Sequence, residues 1–284
     1  MASARSTLTI TEAAAELGVH YMTMYKYVRH GRIAATLEGG QWRISTDALE
    51  QFSRAQAEPA TTRRGGPRPD RYRPRLLARL IAGDEAGAWA VCESAIASGM
   101  QPADVYVLLL GPALANVGDL WASGEIDVAD EHRASVVATR IIGRLGPRFA
   151  TRGRLGGTVV VGCVVEDPHS IPAAMLADIL RQAGFRVSDL GANVPPESFA
   201  KAVAEAERLR AVCVSASTEG SLSRATETVS AIRSAAPDVP VLIGGPAVAD
   251  HEAASRAGAD GWARNGIEAV VMIQRLTGSR RRAR

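Results

Sequence analysis

Aromatic side chains are scarce in this sequence: Phe, Trp and Tyr make up 5% of its 284 residues. Ala and Gly are abundant instead, a composition suited to closely packed helices. Cysteine is scarcer still. Cys92, Cys163 and Cys213 are odd in number, far apart and set in apolar runs. That excludes a disulfide framework and reads as reduced core thiols of a cytoplasmic protein. No apolar run approaches the roughly 18 residues of a membrane-spanning helix, so no membrane partner is expected. The opening "MASARSTLTI" has no apolar signal segment or cleavage pattern, so export is not expected. No repeat at a solenoid period is found. What remains is a chain with 46% hydrophobic residues, long enough for two or three packed domains.

The net charge of +3 is unevenly spread. Residues 1–75 hold twelve Lys/Arg against seven Asp/Glu, whereas residues 76–284 hold 21 against 23. A basic N-terminal module suits a polyanionic partner. Three breaks in composition divide the chain. "QAEPATTRRGGPRPDRYRPR" is rich in Pro, Gly and Arg and reads as an extended linker. "GPRFATRGRLGG" reads as a shorter joint, and "TGSRRRAR" as a basic, disordered tail. The resulting layout is a first domain over 1–55, a linker over 56–74, a helical domain over 75–152, an α/β domain over 153–276 and a tail over 277–284.

In the first domain, Thr9 and Glu12 are spaced for a capping box that opens the helix "ITEAAAELG". "HYMTMYKYVRHG" predicts a second helix with Met24, Tyr25 and Val28 on its apolar face. Gly39-Gly40 predicts a hairpin within "IAATLEGGQWRIS", and Ser45 or Thr46 caps a last helix, "TDALEQF". Two helices and a β-wing form a winged helix-turn-helix, a geometry that docks on double-stranded DNA. Thr23, Lys26, Arg29 and His30 lie off the apolar face, and Arg43 lies on the wing; these are the candidate DNA contacts. The segment resembles the excisionase and MerR-like winged helix-turn-helix family throughout.

Residues 75–152 carry four helical patterns, which predict a four-helix bundle. Pro102 fits an early helical position, Asp127 an N-cap, and Pro112 a kink in the third helix. In "LWASGEIDVADEH", Trp121 ends that helix while Val128, Glu131 and His132 open the next, so these side chains can gather at one end of the bundle. Val128 and His132, four apart, share a face. From 157 onward apolar runs such as "TVVVGCVV" alternate with helical patterns, five strand–helix units in all. The fold predicted is a Rossmann-like, doubly wound, five-stranded parallel sheet.

Ligands of such sheets sit beyond the carboxyl ends of the strands. There the sequence places Asp167 and His169 in "EDPHSIP", Ser215 and Ser217 in "VSAST", and Gly244-Gly245. An imidazole can give one ring nitrogen to a metal while a carboxylate, here Asp167 or Glu166, fixes its tautomer. One His cannot hold a bare ion, but it can supply one axial bond to a metal already held by a macrocycle. His20, His30 and His251 have no such pattern around them.

Asp167-Pro168-His169, Ser215-x-Ser217, Gly244-Gly245, "LGANVPPESFAKAV" and "VLIGGPAV" together resemble the cobalamin-binding domain of corrinoid proteins. The bundle resembles the cap over the corrin's upper face. With the DNA-binding head, the architecture is similar to the CarH/LitR group of light-sensing repressors that bind adenosylcobalamin.

The resemblance implies that His169 is the lower axial ligand of cobalt and that Asp167 orients it. The cofactor's tail would lie near Ser215, Ser217, Gly244 and Gly245. Trp121-x9-Glu131-His132, with Val128, would cover the adenosyl group. It implies a non-enzymatic, cytoplasmic regulator of transcription, a homo-oligomer (dimer or tetramer) whose assembly and DNA binding change when light breaks the Co–C bond.

Two positions depart from the family. Pro172 stands where a Gly is common, which a first helical turn tolerates. Ala122 stands where the group has a cobalt-capturing His, leaving His132 or water as the upper ligand after photolysis. The alternatives are a corrinoid carrier for methyl transfer, and a regulator that uses another tetrapyrrole or senses cobalamin without light.

Overall fold

A computed structural model of the chain describes residues 7–17, 24–25, 27–28, 33–39, 41–49, 52, 68–150, 156–218 and 220–282. The chain divides into two compact units, Met1–Gly66 and Pro67–Arg284.

In the first unit, strand β1 (Thr7–Thr9) runs into helix α1 (Ile10–Glu16), and β2 (Ala35–Glu38) and β3 (Gln41–Ser45) form a hairpin. The expected capping box is present. Thr9 N–H donates to Glu12 Oε2 (2.8 Å) and Glu12 N–H to Thr9 Oγ1 (3.3 Å). Gly39 turns the hairpin at φ +56°, a conformation that costs an L-residue strain. Ser45 caps the last helix by accepting from Ala48 N–H at 3.1 Å. The expectation missed β1, which pairs with β3 and makes β3 the central strand of a three-stranded antiparallel sheet. Met24, Val28, Ile44, Leu49, Ile10, Ala13 and Ala14 form the core beneath it.

The second unit opens with helix α2 (Pro69–Ile81), so the expected linker to residue 74 is corrected to an earlier end. Pro69 occupies the first turn, where its missing N–H has no partner to lose. Helix α3 (Glu85–Ala97), the long helix α4 (Pro102–Ala122) and α5 (Val128–Leu145) complete a bundle around Leu76, Leu80, Cys92, Leu109, Leu110, Ile141 and Leu145.

Helix α4 is long and apolar enough to cross a membrane, yet its Val105, Tyr106, Leu109, Leu110, Ala113 and Val117 lie in this core. Pro112 has no N–H for the Leu108 carbonyl. Rather than a sharp break, α4 widens into a π-helical segment over Val105–Leu110, where Gly111 N–H reaches back to the Tyr106 carbonyl. The Leu108 carbonyl accepts from Arg73 Nε of α2 at 3.3 Å.

A short 3₁₀ turn (Gly146–Phe149) leads toward strand β4 (Thr158–Cys163). There follow α6 (Ser170–Gln182), β5 (Arg186–Asp189), α7 (Pro196–Glu205), β6 (Leu209–Ser215) and α8 (Ser221–Ala235). The unit ends with β7 (Val241–Gly244), α9 (His251–Arg256), β8 (Gly261–Trp262) and α10 (Gly266–Arg282). The expected tail is thus helical as far as Arg282.

All five strands are parallel, in the order β5-β4-β6-β7-β8. Successive residues of a strand face opposite ways, so Val159 and Val161 pack with α6 and α10, while Val160 packs with α7, α8 and α9. Because β4 lies between β5 and β6, the chain reverses direction of winding there. The crevice beyond the carboxyl ends of β4 and β6 is where such a sheet takes its ligand.

Candidate functional site

The turn after β4 carries the first group of expected residues. Asp167 is wholly buried, a position a carboxylate holds only when its oxygens are hydrogen-bonded. Its Oδ1 accepts from His169 N–H (3.1 Å) and pairs with His169 Nδ1 (2.9 Å), and its Oδ2 accepts from the Ser217 N–H (2.6 Å). A carboxylate accepts, so this contact favours the tautomer of a neutral imidazole with the proton on Nδ1, in which Nε2 is the nitrogen with the free lone pair. The His169 side chain is 52% exposed. Asp167, not Glu166, is therefore the carboxylate that orients the ring; Glu166 instead pairs with Arg224 at 3.0 Å.

Sequence reasoning missed two supports of this turn. Asn193 Oδ1 accepts from Glu166 N–H at 2.7 Å, and Cys163 Sγ donates to the His169 carbonyl at 3.2 Å. Glu166 and Asn193 both have positive φ (65° and 54°), strain that these cross-loop bonds offset. An Asn in the turn-forming "GAN" was the available signal. Burial pushes the Cys163 thiol up to about 12, helped by the nearby Asp167 charge, so it remains a donor.

Ser215 and Ser217 follow on β6 and just beyond it. Ser215 lies beside Cys163 and works against the upward push of burial on that thiol, while Ser217 contributes its backbone N–H. The Ser217 hydroxyl is buried and has no partner among the described residues. Gly244 pairs with Ser215 across the sheet. Gly245 has φ +104°, and a Cβ there would lie 2.3 Å from the Ala216 carbonyl oxygen. The two glycines thus let the β7 turn close on the β6 turn, backbone against backbone.

The second group lies on the bundle. Asp127 and Asp130 cap α5 reciprocally, with Asp130 N–H donating to Asp127 Oδ1 (2.8 Å) and Asp127 N–H to Asp130 Oδ2 (3.1 Å). This fixes the first turn, from which Val128 and His132 project. Trp121 and Val128 are 52% and 54% exposed, unusual for side chains of that size. Glu131 accepts from Ser135 Oγ at 2.7 Å, and His132 Nε2 lies 3.6 Å from Glu131 Oε2. No hydrogen bond or ion pair links this group to the Asp167–His169 group among the described residues. Nor does any cluster of three or more His, Cys, Asp or Glu side chains gather there at metal-binding spacing.

Of the candidate DNA contacts, Thr23, Lys26, Arg29 and His30 lie outside the described residues. Arg43 is half-buried on the central strand, between Thr9 and Thr36, and its charge helps hold the Glu12 carboxyl below its ordinary value, behind the hydrogen bonds from Thr9.

Residues 7–57 match the family described as helix-turn-helix domain, and residues 72–145 and 157–271 match two families of B12 binding domain. The HTH-type transcriptional repressor CarH of Myxococcus xanthus is 33% identical over 191 residues, covering 66% of this chain and 62% of the repressor. The match therefore spans less than two thirds of that relative's length. A corrinoid protein of Desulfitobacterium hafniense (strain Y51) is 26% identical over 211 residues, 72% of this chain and 96% of that one. The structure of the Methanosarcina barkeri monomethylamine corrinoid protein shares the fold, with a TM-score of 0.64 at 22% identity over 72% of this chain and 98% of that one. The chain thus carries a segment that matches a helix-turn-helix domain and two that match B12 binding domains, and it is similar to the repressor CarH and to corrinoid proteins.

Proposed function

We propose that the chain is a cobalamin-dependent transcriptional regulator that senses light through adenosylcobalamin. The observation that carries the cofactor reading is the buried Asp167 holding Nδ1 of a half-exposed His169, which leaves Nε2 as a single axial donor. Three further features fit a large ligand beyond β4 and β6: the partnerless Ser217 hydroxyl, the backbone cradle at Gly244-Gly245, and the apolar surface of Trp121 and Val128.

On this reading His169 would hold the cobalt of the cofactor through its free ring nitrogen, with Asp167 as its orienting partner. Ser215, Ser217, Gly244 and Gly245 line the channel for the nucleotide tail, and Trp121, Val128, Glu131 and His132 cover the upper ligand. Bound adenosylcobalamin supplies a photolabile Co–C bond. Loss of the upper group would leave Trp121 and Val128 without the surface they cover, and the bundle would be free to shift. The state of association of the chains follows, and linked DNA-binding heads hold an operator more tightly than one. Near-complete conversion between two states requires a differential affinity of about 5.5 kcal/mol. Ala122 offers no ligand, so on the bundle side His132 would be the residue able to hold the metal, or water would. Thr23, Lys26, Arg29, His30 and Arg43 meet the DNA, in the cytoplasm.

The test is a visible spectrum of the purified chain with adenosylcobalamin, in the dark and after green light, alongside size-exclusion and DNA-binding measurements. The expected result is a bound corrinoid spectrum that changes on illumination together with the oligomer. An unaltered spectrum on loading overturns the cofactor reading. A spectrum that changes without any change in assembly or DNA binding overturns the light reading. His169→Ala should weaken binding or shift the spectrum toward the free cofactor's, and Lys26→Ala should flatten the salt dependence of DNA binding.

A second reading, a corrinoid carrier for methyl transfer, is favoured by the likeness to the Desulfitobacterium hafniense corrinoid protein over nearly all of that protein's length. The helix-turn-helix domain argues against it, and a methyl-transfer assay with a partner enzyme separates the two.

A further inference from the structure

Helix α6 has two working faces. Ala173, Leu176 and Leu180 pack on the sheet, whereas Ile171, Ala174, Met175 and Ile179 pack into the bundle core. Asp178 lies among the bundle-facing residues and is 6% exposed. Its Oδ2 accepts from the Tyr106 hydroxyl at 2.8 Å, and its Oδ1 accepts from Arg181 Nη1, one turn along the same helix, at 2.8 Å. The Tyr106 ring is buried and stacks on Phe149 at 4.9 Å. Its carbonyl closes the widened π-helical turn of α4. Burial above all, and then the Asp178 charge, push the phenol up, so it stays protonated and donates.

His169 is the residue that begins α6, and Asp178 stands nine residues further on, about 14 Å along the axis of one short helix. Apolar contacts slide at little cost, but if the joint shifts, Asp178 Oδ2 loses the Tyr106 donor while Oδ1 stays with Arg181, and the phenol is left with the longer contact to the Ile142 carbonyl of the bundle itself (3.4 Å). The bond across the joint is thus either made or exchanged for a weaker one within the bundle, two arrangements of the kind a transmitting element needs.

We propose that Tyr106 and Asp178 are positioning residues that form a latch between the bundle and α6. Through this latch a change at His169 is passed to the π-helical segment of α4. The proposal rests on the corrinoid reading for its input, and on the hydrogen bond alone for its mechanics.

Hydrogen exchange of the full chain, with and without adenosylcobalamin in the dark, tests it in wild type and in Tyr106→Phe, which keeps the ring and removes the hydroxyl. In wild type, loading should slow exchange both around residues 166–170 and around 105–110. In Tyr106→Phe, the loaded spectrum and the change at 166–170 should persist while the change at 105–110 is lost. Without cofactor, exchange at 105–110 and 175–181 should be about ten-fold faster in the variant than in wild type. A loaded Tyr106→Phe protein that slows at both segments as wild type does overturns the latch.

If wild type takes up no corrinoid, the function reading fails by itself. The latch is then judged on the unloaded proteins, where ten-fold faster exchange at both segments sustains it and equal exchange overturns it. Should Tyr106→Phe not fold, Asp178→Asn carries the same comparison. It keeps the shape but loses the charge, and should shift each readout in the same direction by less; wild-type behaviour in every readout overturns the proposal.

Discussion

Among the described residues, His169 and His132 each have a carboxylate oxygen within 4 Å of a ring nitrogen, and they are held in very different ways. His169 and Asp167 are two apart in a turn, 2.9 Å from ring nitrogen to oxygen, and the carboxylate is wholly buried. His132 and Glu131 are adjacent on a helix, 3.6 Å apart, and the imidazole is 73% exposed. Neighbours on a helix point about 100° apart, so the second pair cannot close into a good hydrogen bond without leaving its rotamers. Asp167 is also fixed by a donor from the turn after β6, whereas Glu131 takes its hydrogen bond from Ser135 on its own helix. The sheet side is rigid before anything binds; the bundle side presents surface.

The largest expected difference follows from that burial. Asp167→Ala leaves the Ser217 and His169 N–H groups without their acceptor and should cost about 3 kcal/mol in chemical denaturation. Glu131→Ala should stay within about 0.5 kcal/mol of wild type, as surface substitutions do. Equal losses would erase the distinction drawn between the two pairs.

Next in size is Gly245→Ala. A Cβ 2.3 Å from the Ala216 carbonyl oxygen, at positive φ, must displace one of the two turns. A loss of about 2 kcal/mol is expected, read as a lower denaturation midpoint. Trp121→Ala should leave stability within about 0.5 kcal/mol, because the ring is half exposed, yet alter the spectrum of the loaded protein. A large loss of stability with no spectral change would make Trp121 a packing residue.

The smallest effect concerns the caps of the bundle. Asp130 is held below the ordinary carboxylate value by the Asp127 backbone N–H, Asp84 by that of Gly87, and Glu85 by the Arg140 guanidinium. Since the folded values are the lower ones, the contribution is complete above the ordinary range near 4. It is lost as pH falls through the folded values. Asp130→Asn should therefore weaken α5 at neutral pH, and the penalty should vanish on acidification. A penalty that grew in acid would reverse the sign argued here.

Much of this was legible in sequence because it is local. Thr9 with Glu12, Asp127 with its helix, Pro102 at a helix start and the Gly39 hairpin are all encoded within a few residues. The α/β alternation and the two faces of each helix follow from apolar spacing alone. The misreadings are local rules met by non-local compensation. Pro74 looked like linker, yet it is carried inside α2. Pro112 predicts a disturbance of its helix, and the disturbance takes the form of a π-helical turn and a bond from Arg73 that no local pattern announced. β1 was overlooked because three residues carry too little pattern until β3 lies beside them.

By itself, then, the sequence determined the order of the segments, the type of most elements and the Asp-x-His spacing, since these depend on chain-local geometry and periodicity. Only the tertiary structure decided which strands lie side by side. Setting β6 against β4 brings the Ser217 N–H, 50 residues away, onto Asp167, and packing α6 on the bundle brings Tyr106 to Asp178 across 72 residues. Such pairings come from the burial of whole faces, and a buried acid can settle only where the fold supplies its donors.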